Sequence, residues 1–162
     1  MKILILQYLQ PGIDKLAIPE NETRYFTGLM ARLSEYDIRF RLHPESKAKP
    51  VYRALYAGVR FDDENRPFRY SLDWPDLVIG PAWSGAMLES IASGKRTFMV
   101  LLPPHSCTMR YFRGAVIHET VEAVHNAVRS GLNPDHSAFL ERYTARKESP
   151  DPVGAIWRAL VA

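Results

Sequence analysis

Two short motifs carry the residue types from which an anion site is built. One is Ser84-Gly85, followed by Glu89; the other is His43-Pro44. A serine that opens a helix offers a hydroxyl and a backbone N–H. A glycine after it leaves the backbone bare, so an oxygen can approach closely. The free N–H groups of a helix N-terminus attract anions, phosphate above all. Glu89 lies four residues after Gly85, one turn down on the same face, where a carboxylate can accept both hydroxyls of a ribose. His43 precedes a proline that fixes the local backbone, and its ring can donate to a phosphate oxygen. Each residue also has a plainer reading: Ser84 as a helix cap, Glu89 as a solvated charge, His43 as a structural histidine. His105 and Arg110, in a later loop, are further binding candidates, readable also as a loop residue and a surface charge. Arg41 alternates with Leu42 and is expected to face solvent.

Other chemistries lack their motifs. No GxGxxG follows a strand, no GxxxxGK[ST] occurs, and Ser84 sits in Trp83-Ser84-Gly85-Ala86 rather than a GxSxG elbow. His118 and His125 have no third metal ligand beside them, and no metal site is expected. Trp83 and Met87 read as packing residues.

The elements that must position these residues alternate between strands and helices. Residues 76–80 (DLVIG) form a brief apolar run, as expected of a strand buried on both faces. Residues 81–83 break it, Ser84 caps a helix, Gly94 ends that helix, and residues 96–102 form another buried strand. Upstream, residues 2–7 (KILILQ) read as a central strand, and 9–21 as a long loop of the kind that is often functional. A helix over 22–34 presents Phe26, Leu29, Met30 and Leu33 as one stripe. Residues 37–42 alternate as a second strand, 48–57 read as a short helix or turn, 59–61 carry a weak strand signal, and 62–66 a charged, exposed loop. Downstream come a long loop over 103–115 and a short strand at 116–117. Thr120 then caps a helix bearing Val121, Val124 and Val128 and ended by Gly131. A further helix starts at Asn133-Pro134 and runs to about Thr144. A closing helix spans 153–161.

This order predicts an α/β fold: a doubly wound, mainly parallel Rossmann-like sheet with helices on both faces, as a single domain over residues 1–162. In such sheets ligands bind outside the carboxyl ends of the strands. That rule selects the loops at 8–21, 43–44, 81–85 and 103–113.

Composition sets wider bounds. The chain has 162 residues, 46% hydrophobic and 24% charged, enough for one ordinary core. A net charge of +3 suits a small anionic ligand and is too weak to argue for nucleic acid. The lone Cys107 cannot form an intramolecular disulfide, which fits a reducing cytoplasm. The apolar run at 3–6 is too short for a signal-peptide core, and no run approaches a membrane span.

Taken together, Arg41-Leu42-His43-Pro44, the DLVIG strand, Ser84-Gly85-Ala86-Met87-Leu88-Glu89 and Gly94-Lys95 resemble the C-terminal, nucleotide-binding half of GT-B glycosyltransferases. The valine-rich helix near Thr120 and the segment from Phe139 to Tyr143 extend the likeness over most of the chain. It is nearest to bacterial surface- and capsular-polysaccharide enzymes with a His-Pro motif and a Ser/Thr motif, including Kdo and sialic acid transferases that use CMP-sugars. Teichoic-acid glycerophosphotransferases, which use CDP-glycerol, look similar. Here the serine motif has one hydroxyl residue followed by glycine, where many relatives have a Ser-Ser or Ser-Thr pair.

The resemblance implies a CMP-, CDP- or UDP-linked nucleotide-sugar donor and no further cofactor. His43 and Ser84 would hold the donor's phosphate and Glu89 its ribose. It also implies an acceptor-binding partner domain or subunit that supplies the general base, through which peripheral membrane association could arise. Asp14 and Glu20 are the in-chain base candidates. Two other readings stay open: a non-catalytic nucleotide- or phosphate-binding regulatory module, and a nucleotide-sugar epimerase-like fragment on the same half-fold.

Overall fold

Successive side chains of a strand point to opposite faces of its sheet, so a strand that is apolar throughout must be covered on both sides. The computed structural model, which describes residues 1–7, 19–47, 50–82, 84–102 and 114–144, has this arrangement. Strands β1 (Lys2–Leu6), β2 (Asp37–Arg41), β3 (Leu77–Pro81), β4 (Arg96–Val100) and β5 (Ile117–His118) form one all-parallel sheet in the order β2-β1-β3-β4-β5. Seven helices accompany it among the described residues: α1 (Pro19–Arg32), α2 (Pro44–Lys47), α3 (Pro50–Leu55), α4 (Phe68–Ser71), α5 (Gly85–Ala92), α6 (Val121–Arg129) and α7 (Ser137–Thr144). The chain therefore has a Rossmann-like α/β fold.

The register keeps each face continuous. Ile3 pairs with Leu77 and Ile5 with Ile79, and Ile79 in turn with Phe98. These residues pack with Phe26 and Leu29 of α1, Leu33 just beyond it, and Val124 and Val128 of α6. Leu4, Leu6, Val78 and Met99 face the other way, against Met87 and Ile91 of α5 and Phe139 of α7. Each large apolar side chain so buried contributes about 1.5–3 kcal/mol. A buried polar contact adds to the first layer: the Tyr56 hydroxyl donates to the carboxylate of Glu22, in the first turn of α1, at 2.9 Å.

Two glycines are dictated by geometry. A Cβ on Gly80 would lie 2.9 Å from Leu6 Cβ and 2.7 Å from Met87 Sδ, so the close approach of β3 to β1 and α5 requires its absence. Gly94 has a φ of +72° and ends α5. The Gly94 N–H donates to Ile91 O at 2.9 Å and the Lys95 N–H to Ser90 O at 3.0 Å, the paired bonds of a left-handed helix stop.

The structure shifts several sequence expectations. The first helix begins three residues early, at Pro19. The region read as one helix or turn at 48–57 is α3, preceded by the separate single turn of α2. Residues 59–61 make only an isolated bridge, Phe40 to Phe61, with Phe40 N–H donating to Arg60 O and Asp62 N–H to Phe40 O, both at 2.9 Å. This segment covers the outer edge of β2 and blunts it against pairing with other chains. The helix expected from Pro134 starts at Ser137. The preceding residue explains the delay: buried His136 is held between the Val116 N–H at 3.3 Å and Thr97 O at 2.9 Å. The helix expected at 153–161 lies outside the described residues, as do most of the loops at 9–21 and 103–115. Among the described residues no helix is long and apolar enough to cross a membrane.

Candidate functional site

In the order β2-β1-β3, the chain leaves β1 toward one side of the sheet for β2 and enters the other side with β3. The point where the order reverses opens a crevice at the carboxyl ends of the strands. Here it holds a cavity of about 560 Å³. Leu6 and Gln7 at the end of β1 line it, with Arg41 to Pro44 and Lys47 beyond β2, Ser84 to Ala86 at the start of α5, and Glu64 to Phe68. His43, Ser84 and Gly85 thus meet in one cleft although 41 residues separate the first two.

Gln7 sets the junction between the first two walls. Its N–H donates to Arg41 O at 2.9 Å, carrying the β1–β2 ladder one residue past the strand. Its side-chain Oε1 accepts the His43 N–H at 2.9 Å. The His43 carbonyl then accepts from Ser46 N–H at 2.8 Å and Lys47 N–H at 3.1 Å, so His43 caps the single turn of α2 and Pro44 fills its first position. The sequence around His43 therefore builds a fixed corner, with its half-buried side chain on the cleft wall.

At the opposite wall, the reading of Ser84 as a helix cap is realised. Its Oγ accepts the Ala86 N–H at 3.2 Å, with φ −75° and ψ 132°. Its own N–H donates to Pro81 O at 3.0 Å, so that N–H is not open to a ligand. What Ser84 retains is the hydroxyl hydrogen and a second lone pair. Gly85 is exposed, and a Cβ built on it would meet none of the described residues within 4 Å. Neither positive φ nor internal packing requires glycine there. Glu89 is exposed one turn further along α5 and is not part of the cleft wall.

Arg41, expected to face solvent, is instead the pin that holds one cleft wall. Its side chain is 11% exposed. Nη1 lies 2.7 Å from Asp62 Oδ2, 3.0 Å from Asp63 O and 2.9 Å from Ser71 Oγ, and Nη2 donates to Arg66 O at 2.7 Å. The guanidinium also faces the Phe68 ring at 5.8 Å. The alternation along β2 does place Arg39 and Arg41 on one face, but that face is covered. Arg39 stacks on Trp74 at 4.0 Å, and the 62–71 segment folds over Arg41. The loop read as charged and exposed is correspondingly anchored: Asp62 is buried, and Glu64 Oε1 accepts the Leu42 N–H at 3.2 Å while Oε2 pairs with Arg53.

The resulting cleft is cationic. Among the described residues, Lys47 and Arg66 line it, with Arg41 paired to Asp62, against one carboxylate, Glu64, whose two oxygens are engaged. The bare N-terminus of α5 adds a partial positive charge. An anion of phosphate size is what this arrangement can hold. Gln7, Lys47 and Arg66 escaped the sequence reading as site residues, and Arg41 enters it only as a solvent-facing residue of the His-Pro motif. The signal that could have found Gln7 is its place: the first polar residue after a buried strand, at the carboxyl edge. Among the earlier base candidates, Glu20 falls in the first turn of α1, while Asp14 lies outside the described residues, as do the binding candidates His105 and Arg110. Comparison of the chain with protein-family models finds no match, and comparison with curated proteins finds none either.

Proposed function

We propose that this chain is the donor-binding domain or subunit of a GT-B-like glycosyltransferase of bacterial surface-polysaccharide synthesis, and that the cleft takes the phosphates of a nucleotide-sugar. The observation that supports this reading most is the meeting of His43, the α5 N-terminus and the cationic side chains of Lys47 and Arg66 at the carboxyl edge of a parallel sheet. In that role the domain acts electrostatically. Donors fixed in advance stabilise the charge that develops on the departing phosphate without reorganising as it forms. A partner domain or subunit contributes the acceptor site and the general base.

The one carboxylate among the described residues that line the cleft is committed to Arg53 and the Leu42 N–H, and this favours a second reading, a non-catalytic nucleotide- or phosphate-binding module. Calorimetry with CDP and UDP tests the binding shared by both. Saturable binding that weakens in His43→Ala and Lys47→Ala supports the site; binding indifferent to both changes overturns it. Hydrolysis or transfer of a nucleotide-sugar by the chain with its partner separates the enzyme from the module.

A further inference from the structure

The side-chain amide of Gln7 is half used. Its Oε1 accepts the His43 N–H at 2.9 Å, which fixes the orientation of the group, because a reversed amide would set N–H against N–H. The other half, Nε2, is fully buried on a residue only 4% exposed and has no hydrogen-bond partner among the described residues. Buried amides without an acceptor are rare, and each one calls for a reason. Gln7 lines the cleft beside His43, across from the exposed N-terminus of α5. A purely structural clasp between β1 and β2 would account for Oε1 alone.

We infer that Gln7 is a ligand-binding residue, whose Nε2 donates to an anionic oxygen held in the cleft against the Gly85 N–H. This rests on the reading of the cleft as an anion site and narrows what fits it. Among the described groups of the cleft, Gln7 Nε2, the Ser84 hydroxyl hydrogen, the Gly85 N–H, and the Lys47 and Arg66 side chains can all donate to a bound oxygen. The acceptors on these and neighbouring residues each already receive a bond, Gln7 Oε1 from His43, Ser84 Oγ from Ala86, and the Glu64 oxygens from Leu42 and Arg53. A fully ionised phosphate or diphosphate offers only acceptors and matches the set.

The test uses the full chain, titrated by calorimetry with inorganic pyrophosphate and with CDP, together with Gln7→Leu and Gln7→Glu. Gln7→Leu removes the donor; Gln7→Glu keeps an acceptor for the His43 N–H but faces the ligand with a second anion. The wild type is expected to bind both probes, Gln7→Leu to bind about tenfold or more weakly, and Gln7→Glu more weakly still. In the wild type, the NMR signals of the Gln7 side-chain amide should move on adding pyrophosphate, a readout that does not depend on either variant folding. If the wild type binds while both folded variants stay within about twofold of it, or if the Gln7 amide signals stay still at saturation, the role of Gln7 is overturned and the anion site stands. If the wild type binds neither probe, both readings fall together.

Discussion

The side chain of Gln7 holds the main chain of His43: Oε1 of the first accepts the N–H of the second at 2.9 Å. The two residues follow neighbouring strands, so this one bond sets where the chain turns from β2 into α2. The floor and one wall of the cleft are thereby fixed to each other, and the main chain of the histidine is held in place.

Arg41 holds the next wall, and its removal should be costly. The side chains of Arg41 and Asp62 are 11% and 5% exposed, so Arg41→Ala strands a buried carboxylate, with Arg39 as the remaining cation at 4.0 Å. It also releases Asp63 O, Arg66 O and Ser71 Oγ. Urea unfolding should show a loss of about 3–5 kcal/mol, and a smaller loss for Arg41→Ala combined with Asp62→Ala, because the second change removes the stranded charge. A single variant as stable as the wild type would mean that the 62–71 segment is held by other contacts.

Two glycines should respond in opposite ways to the same added methyl. At Gly80 the new Cβ collides with Leu6 Cβ and Met87 Sδ, and overpacking of this kind costs about 1–3 kcal/mol. At Gly85 the new Cβ meets none of the described residues, so Gly85→Ala should leave thermal stability unchanged or raise it by up to about 1 kcal/mol, alanine being the better helix former. Its effect should fall on anion binding, where the methyl obstructs approach to the α5 N-terminus. Melting temperature and calorimetric affinity, measured on both variants, separate the two. Unchanged affinity in Gly85→Ala would place the anion elsewhere.

Acid should destabilise the fold through His118. Burial, and then the nearby His136, hold its ring below the ordinary histidine value of 6.5. The folded ring therefore stays neutral where the unfolded one takes up a proton. Stability is intact above pH 6.5 and declines as pH falls below it, by at most about 1.4 kcal/mol per pH unit from this group. The buried Nε2 has no hydrogen bond to lose, and the ring already packs on Phe98 at 5.0 Å. His118→Phe should accordingly flatten the decline. Melting curves in buffers above and below 6.5 give the comparison, and an equal acid loss in the variant would assign the effect to another group.

The parts of the fold that are local in sequence were legible in it. Apolar runs marked the strands, the Phe26–Leu29–Leu33 stripe marked α1, and Ser84 and Gly94 marked both ends of α5. The meeting of His43 with Ser84 followed from one topological rule about strand ends. What escaped depended on partners distant in sequence. Nothing near Arg41 announces that Asp62, Arg66 and Ser71 will close over it, since alternation reports which face a side chain takes and not what covers that face. The late start of α7 has the same origin, in the hold that Thr97 O and Val116 N–H keep on His136.

The sheet order has a last consequence. The described cleft walls come from residues 6–7, 41–44, 47, 64–68 and 84–86, and they converge only when β1 lies between β2 and β3. No short peptide from this chain could carry the site. An occupant of the cleft bridges segments far apart along the chain, so it favours the assembled sheet over every partly opened form. Its imprint on amide hydrogen exchange should extend along the backbones of β1 and β3, well beyond the loops it touches.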